Sequence, residues 1–504
     1  TRYISVTGVQ TCALPISSHP VVQRIENVAQ ASQAFDRITY AKGQAVITMI
    51  EAYVGEDAFR QGVRAYMKRH KYGNTVSDDL WREVEKASGK PILDIAHDFT
   101  LQTGIPLIRV ASSTCVDGHM AVRLTQDRFG VDQGSRTPTA WRVPVKLKTV
   151  GGAETVGAIA SGARGQAVSV TGCGPVIVNA GQTGYFRVLY TSEQLRQIGD
   201  RFAQLSDADQ LGVLTDAWKL AEAGYAPVAD YLDLAARAPV DADPLILDRI
   251  VTNYGAIDGL LTGDDQVRYR AYVRKVLAPV MARVGWEPKA GESDNTAILR
   301  ASLIGTLAQM EDPAVLAEAR ARFGRWLADP SSLSAALREP VLKVVARSAD
   351  AATWEKLHTL ARTSRSAQEK RDLYEKLGEA RDPALAKKTL ELAISSEPPV
   401  TVGPAMISAV ADAHPELAFD FVVAHLDAVM SRIESSSQTR YVPRLLGGAG
   451  DLELIDKLNA YAQAHIAADA RGAVNNTVAA IRFRAEVVEK RGPEVAAWLK
   501  ARRS

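Results

Sequence analysis

From Ser192 to its last residue the chain is one amphipathic helical pattern after another, and this run constrains the fold more than any other feature. Segments such as LRQIGDRFAQL, LGVLTDAWKLAEAG, AVLAEARARFGRWLA and TWEKLHTLARTS repeat apolar residues at the three-to-four spacing of one buried face. Short loops marked by Asp-Pro, Gly and Ser separate them. A helix with a single apolar stripe must bury it on a neighbour. No strict period is visible, so so long a run suits an irregular solenoid of stacked helix pairs better than one bundle.

Upstream the texture differs. Between Ile105 and Tyr190 the runs IPLIRVAS, HMAVRLTQDRF, WRVPVKLKTV, AVSVTG, PVIVNA and YFRVLY alternate with turns rich in Gly, Asp and Ser. Short strands with such punctuation predict a small antiparallel sandwich. Before Gly104 the pattern is helical again. Val46, Ile47, Ile50, Tyr53 and Val54 form one predicted buried face, stopped by Gly55. A second helix would bury Phe59, Val63, Tyr66 and Met67 and ends in Lys68, Arg69 and His70, where cations suit the helix dipole. Ser77 is the predicted N-cap of a third helix carrying Leu80, Trp81 and Val84 and ending at Gly89; Pro91 opens a short fourth through Ile92, Ile95 and Phe99.

At 504 residues the chain is too long for one core. Hydrophobic residues make up 46% and charged ones 23%, ordinary values for a globular chain. Sixty Lys and Arg against 58 Asp and Glu leave a net charge of +2, too little to draw in nucleic acid or anionic lipid, so neither partner is expected. No apolar run reaches the roughly 20 residues that span a bilayer, and no membrane association is expected.

Chemistry-bearing motifs are scarce. The 8 histidines include no pair four residues apart, so the H-E-x-x-H helix that presents two imidazoles to zinc is missing. No C-x-x-C, no phosphate-cradling G-x-x-x-x-G-K-[ST] and no G-x-S-x-G elbow occurs. Apart from Cys12, the cysteines are Cys115 and Cys173, both in the strand-rich segment; they are either free core thiols or one disulfide. A bond would imply an exported, periplasmic protein, and free thiols would leave the cytoplasm open. Tyr40, in FDRITYAKG, taken alone suits a buried structural tyrosine. Residues 6–16, VTGVQTCALPI, resemble a translated sequencing-library adapter, so 1–17 are expected to be an artefact preceding a truncated chain.

A wider set of residues carries a resemblance. Ser18-His19-Pro20, Phe35-Asp36-x-Ile38-x-Tyr40-x-Lys42-Gly43, Gly55-Glu56-x-x-Phe59-x-x-Gly62, Asn74-Thr75 and Asp79-Leu80-Trp81 follow one another in order. Then come Phe99-Thr100-x-Gln102-x-Gly104-x-Pro106, Leu124-x-Gln126-x-Arg128-Phe129, Trp141-x-Val143-Pro144, Asn179 with Gly184-Tyr185-Phe186-Arg187-Val188, and LTDAWKLAEAG at 214–224. This succession resembles the zinc aminopeptidases of the aminopeptidase N type, from the second half of their catalytic domain onward. It is strong to about Gly224 and weaker beyond. Gln44, Phe99, Ile105 and Gln210 depart from the family's usual residues, in what are expected to be packing positions.

The resemblance implies a multidomain, mainly α architecture: residues 18–104 as the helical remainder of a thermolysin-like catalytic domain, 105–190 as a small antiparallel β-sandwich, and 191–504 as a large HEAT-like α-helical solenoid. It implies a monomeric enzyme that removes amino-terminal residues from peptides with a free N-terminus. Tyr40 is the implied catalytic residue, its neutral phenol donating a hydrogen bond to the oxyanion of the tetrahedral intermediate. Lys42 and Gly43 are expected to be structural, Gly43 for close backbone approach and Lys42 solvated or paired. Zinc is implied for the full-length enzyme, with its ligands upstream and none bound by this fragment, which is expected to be inactive. The alternative is a non-catalytic helical scaffold of the same fold.

Overall fold

A computed structural model describes residues 19–26, 34, 36, 38–132, 134–152, 156–162 and 165–502. The suspected artefact, residues 1–17, lies outside the described residues, as do Ser18 and Phe35 of the motifs. The chain divides into two compact units, residues 1–246 and 247–504.

The first unit opens with four helices. In Gly43–Val54, Val46 and Ile50 are fully buried, and Gly55, at φ 95°, closes the helix by donating its N–H to the Glu51 carbonyl at 2.8 Å. Ile47, expected on the buried face, is exposed instead. Glu56–His70 departs further, since Gly62 is its one buried residue and Met67 is 61% exposed. The reason is local. A Cβ at Gly62 would lie 2.6 Å from the Val84 Cα, so this helix docks on Ser77–Ser88 through a bare backbone contact rather than through a broad apolar stripe. Val76, not Ser77, occupies the cap position of Ser77–Ser88, and its N–H donates to Asp79 Oδ2 at 3.0 Å. Gly89 ends that helix in the left-handed conformation. The fourth helix, Leu93–Thr100, is introduced by Glu85, whose Oε2 accepts the N–H groups of Ile92 and Leu93 at 2.8 and 3.0 Å.

Two small sheets follow. Strands β1 (Ile105–Val116), β2 (His119–Phe129), β3 (Val143–Thr149), β4 (Val156–Ala160), β5 (Gln166–Thr171), β6 (Val176–Val178) and β7 (Arg187–Leu189) form one sheet in the order β5-β2-β1-β7 and another in the order β4-β3-β6. The pairings are antiparallel except that short β7 runs parallel to β1, with Ile108 opposite Val188. Asp117 and Gly118, both at positive φ, make the two-residue turn between β1 and β2 that matches strand twist. Strand β4, VGAIA, was not expected from the sequence: its Gly and Ala have little strand preference, and pairing with β3 recruits it. Leu107, Ile108, Val122, Leu124, Val143, Val145, Leu147 and Ile177 fill the core.

Cys115, near the end of β1, and Cys173, between β5 and β6, are joined in a disulfide with Cα atoms 5.4 Å apart. Both residues are exposed, which disposes of the core-thiol alternative.

Helices Ser192–Gly199, Asp207–Glu222 and Val228–Ala235 complete this unit. Asp216 anchors them to β7: Oδ1 accepts Arg187 Nη1 and Oδ2 accepts the Val188 N–H, each at 2.9 Å, in a buried pair. The second unit is a succession of helices packed largely on their sequence neighbours, from Pro244–Asp258, which straddles the division, to Gly472–Ala501. That last helix returns to the start of the unit. Trp498 meets Tyr272 edge-on at 5.1 Å, and Gly492 lies against the Leu260 carbonyl with no room for a Cβ.

Candidate functional site

Tyr40 sits in a π-helical turn, Ile38–Lys42, that runs directly into Gly43–Val54. A π turn inserts an extra residue into the helical ladder and rotates the side chains around it, a geometry common at functional sites. Here it separates two neighbours: Tyr40 is 61% exposed, whereas Lys42 is only 2% exposed. Sequence alone favoured a buried structural tyrosine, and the turn overrides that expectation.

The turn is fastened at both ends. Ahead of it, His19 Nε2 meets Asp36 Oδ2 at 2.8 Å, and Asp36 Oδ1 accepts the Thr39 N–H at 2.9 Å. The Asp36 carbonyl accepts the Tyr40 N–H at 3.3 Å. His19 and Asp36, from two of the motifs, thus clasp the turn that presents the phenol, positioning roles that no spacing rule revealed. Behind it, the Lys42 ammonium donates to the carbonyls of Gln102 and Gly104 at 2.9 and 3.4 Å and lies 5.9 Å from the Tyr185 ring centre. Of the two expectations for its charge, paired is the outcome, with carbonyls as partners. Gly43 does not sit at a close approach: the nearest atom to a Cβ built there is Val21 Cγ1 at 3.8 Å, ordinary contact.

The later motifs join the helical segment to the sheets. Gln126 accepts the Trp141 N–H at 2.9 Å and donates to the Thr139 carbonyl at 3.2 Å, linking one motif to the next. Arg128 donates to Thr103 and Thr139 hydroxyls at 3.2 and 3.3 Å. Its guanidinium lies over Gly104, where a Cβ would come within 2.6 Å of Nε; with φ 97°, that position needs glycine twice over. Asn179 closes its own loop, accepting the Gly184 N–H at 2.8 Å and donating to the Gly184 carbonyl at 3.2 Å. Among the departing residues, Phe99, Ile105 and Gln210 are buried as expected, but Gln44 is at the surface.

For a metal the donor set is wanting. Among the described residues no group of three or more His, Cys, Asp or Glu side chains is placed to hold an ion, so these residues do not fit zinc. What the arrangement offers is a tyrosine, 61% exposed, on a turn held from both sides. No helix among the described residues is long and apolar enough to cross a membrane.

Comparison with known proteins places these features in a lineage. Residues 7–99 match the peptidase family M1 domain, and residues 175–483 match the ERAP1-like C-terminal domain. Aminopeptidase M1-A of Oryza sativa is 26% identical over 506 residues, covering 96% of this chain and 56% of that protein. Aminopeptidase 2 of Candida albicans is 27% identical over 76% of this chain and 42% of its own length. Tricorn protease-interacting factor F2 of Thermoplasma acidophilum is 30% identical over 59% of this chain and 36% of its own. The chain spans about half the length, or less, of such relatives.

Proposed function

We infer, for a chain that belongs to the M1 metalloaminopeptidase family, that it forms the carboxy-terminal part of an enzyme hydrolysing amino-terminal residues from peptides. Residues 18–104 then complete a catalytic domain, 105–190 form the sandwich and 191–504 the HEAT-like helical domain. The supporting observation is the exposed phenol of Tyr40 on a π turn clasped by Asp36 and Lys42.

In this reading the phenol donates a hydrogen bond to negative charge developing on the substrate's carbonyl oxygen. The donor costs no reorganisation, because the turn is already held. His19 and Asp36 position it through the backbone and do not themselves touch substrate. Zinc is a requirement of the complete enzyme, supplied by donors outside residues 1–504, and residues 18–504 alone bind none and cleave nothing. The substrates are peptides with a free amino terminus, and the enzyme acts as a monomer. We also propose that it works in an oxidising compartment such as the periplasm, a reading supported by the exposed Cys115–Cys173 bond.

Kinetics of the complete enzyme test the role of Tyr40. Loss of one oxyanion donor costs about 3 to 4 kcal/mol, so Tyr40→Phe is expected to lower kcat by about 100-fold or more with KM little changed. Wild-type turnover in that variant overturns the assignment.

A further inference from the structure

In the second unit, three cations line one groove and, among the described residues, none of them is in a direct ion pair with a carboxylate. Lys343 and Arg347 lie one turn apart on helix Ala335–Arg347, and Arg381 lies just ahead of helix Pro383–Ile394. The backbones of the two arginines touch, the Arg381 N–H donating to the Arg347 carbonyl at 3.3 Å. All three residues line a cavity of ≈ 340 Å³, and Lys343 and Arg347 also line an adjoining one of ≈ 420 Å³.

The acidic residues on these walls are committed elsewhere. Glu311 accepts Arg270 Nη1 at 2.6 Å, Glu339 accepts Lys376 Nζ at 2.6 Å, and Asp382 accepts the N–H groups of Ala384 and Leu385 at 2.8 and 3.3 Å. Among the described residues, no ion pair or side-chain hydrogen bond engages the charged ends of Lys343, Arg347 or Arg381. The crowding has an electrostatic signature: burial, then the like charges of Arg347 and Arg270, lower the basicity of the Arg381 guanidinium against the weaker opposing pull of Glu311 and Asp258.

We propose that this groove binds a small anion carrying two or more charges on oxygen, a phosphate-bearing or polycarboxylate compound. Guanidinium forks match such oxygens in bidentate fashion, and a lysine adds a point charge. Three facing cations call for more than the single charge of a monocarboxylate. Ala308, Leu316 and Val344 supply an apolar wall against which the body of the anion packs. The inference is independent of the role given to Tyr40.

Thermal unfolding and calorimetric titration of the whole chain, at fixed ionic strength, test it with pyrophosphate, citrate, acetate and sodium chloride as probes. Pyrophosphate or citrate is expected to raise the melting temperature saturably, while acetate and chloride do not; which of the two binds tighter separates the phosphate source from the carboxylate source. Arg347→Gln and Arg381→Gln should each weaken that binding by about tenfold or more while melting normally without anion. Lys343→Gln, at an exposed position, gives the same reading should an arginine variant fail to fold. A shift no greater than that of chloride, or full binding by folded variants, overturns the site.

Discussion

Lys42 shows how a single buried charge can do the work of a linker. Its ammonium ties the π turn to the carbonyls of Gln102 and Gly104, sixty residues on. Replacement by Met keeps the volume but leaves those carbonyls without their donor, so Lys42→Met is expected to cost about 1 to 3 kcal/mol in denaturant unfolding. A different buried cation answers to pH. Arg300 grips Glu292 through two hydrogen bonds of 2.7 and 2.5 Å, which hold the Glu292 carboxyl at about 2 instead of 4.5. Because the folded value lies below the unfolded one, the pair's contribution is fully present above pH 4.5 and is lost as pH falls towards 2. Glu292→Gln should lower stability at neutral pH, and the gap to wild type should narrow as both are unfolded at progressively lower pH across that window. An unchanged gap would show that the pair contributes nothing through its charge.

At the scale of elements, glycine placement decides more than apolar stripes do. The helices Glu56–His70 and Ser77–Ser88 meet where Gly62 has no side chain, against the Cα of Val84. Gly62→Ala must push the two helices apart, an overpacking cost of about 1 to 3 kcal/mol. Because the clash is with backbone, adding Val84→Ala should not restore stability; recovery in the double variant would locate the contact in side chains instead. Gly104 and Gly184 play similar parts, the first under Arg128 and the second where a Cβ would overlap the Phe186 ring. Several of the family-like motifs in the sequence are therefore joints between elements rather than groups that touch substrate.

For the molecule as a whole, the Cys115–Cys173 bond is the one covalent closure among the described residues. It ties β1 to the segment between β5 and β6 across a sequence separation of 58 residues, and cross-linking a loop of that length stabilises by about 4 kcal/mol on chain-entropy grounds. Replacing both cysteines by Ser should lower unfolding free energy by up to that amount. Native protein from its own host should resist alkylation at both thiols until reduced; labelling of both without reductant would remove the bond and with it the case for an oxidising compartment.

The sequence by itself determined the order of textures: helices to Gly104, strands to Tyr190, helices to the end. Those follow from local periodicity and turn residues, which act within a few positions. Gly55 and Gly89 as helix stops were legible for the same reason. Tyr40 could be singled out only by its neighbours in a long motif. That it faces solvent, that Lys42 turns inward, and that His19 and Asp36 clasp the turn between them were decided by tertiary structure. So were the recruitment of β4, the parallel pairing of β7 and the union of the two cysteines. Each depends on groups far apart in the chain meeting in space, where hydrogen-bond satisfaction and close packing outweigh the preference of any residue for its own conformation.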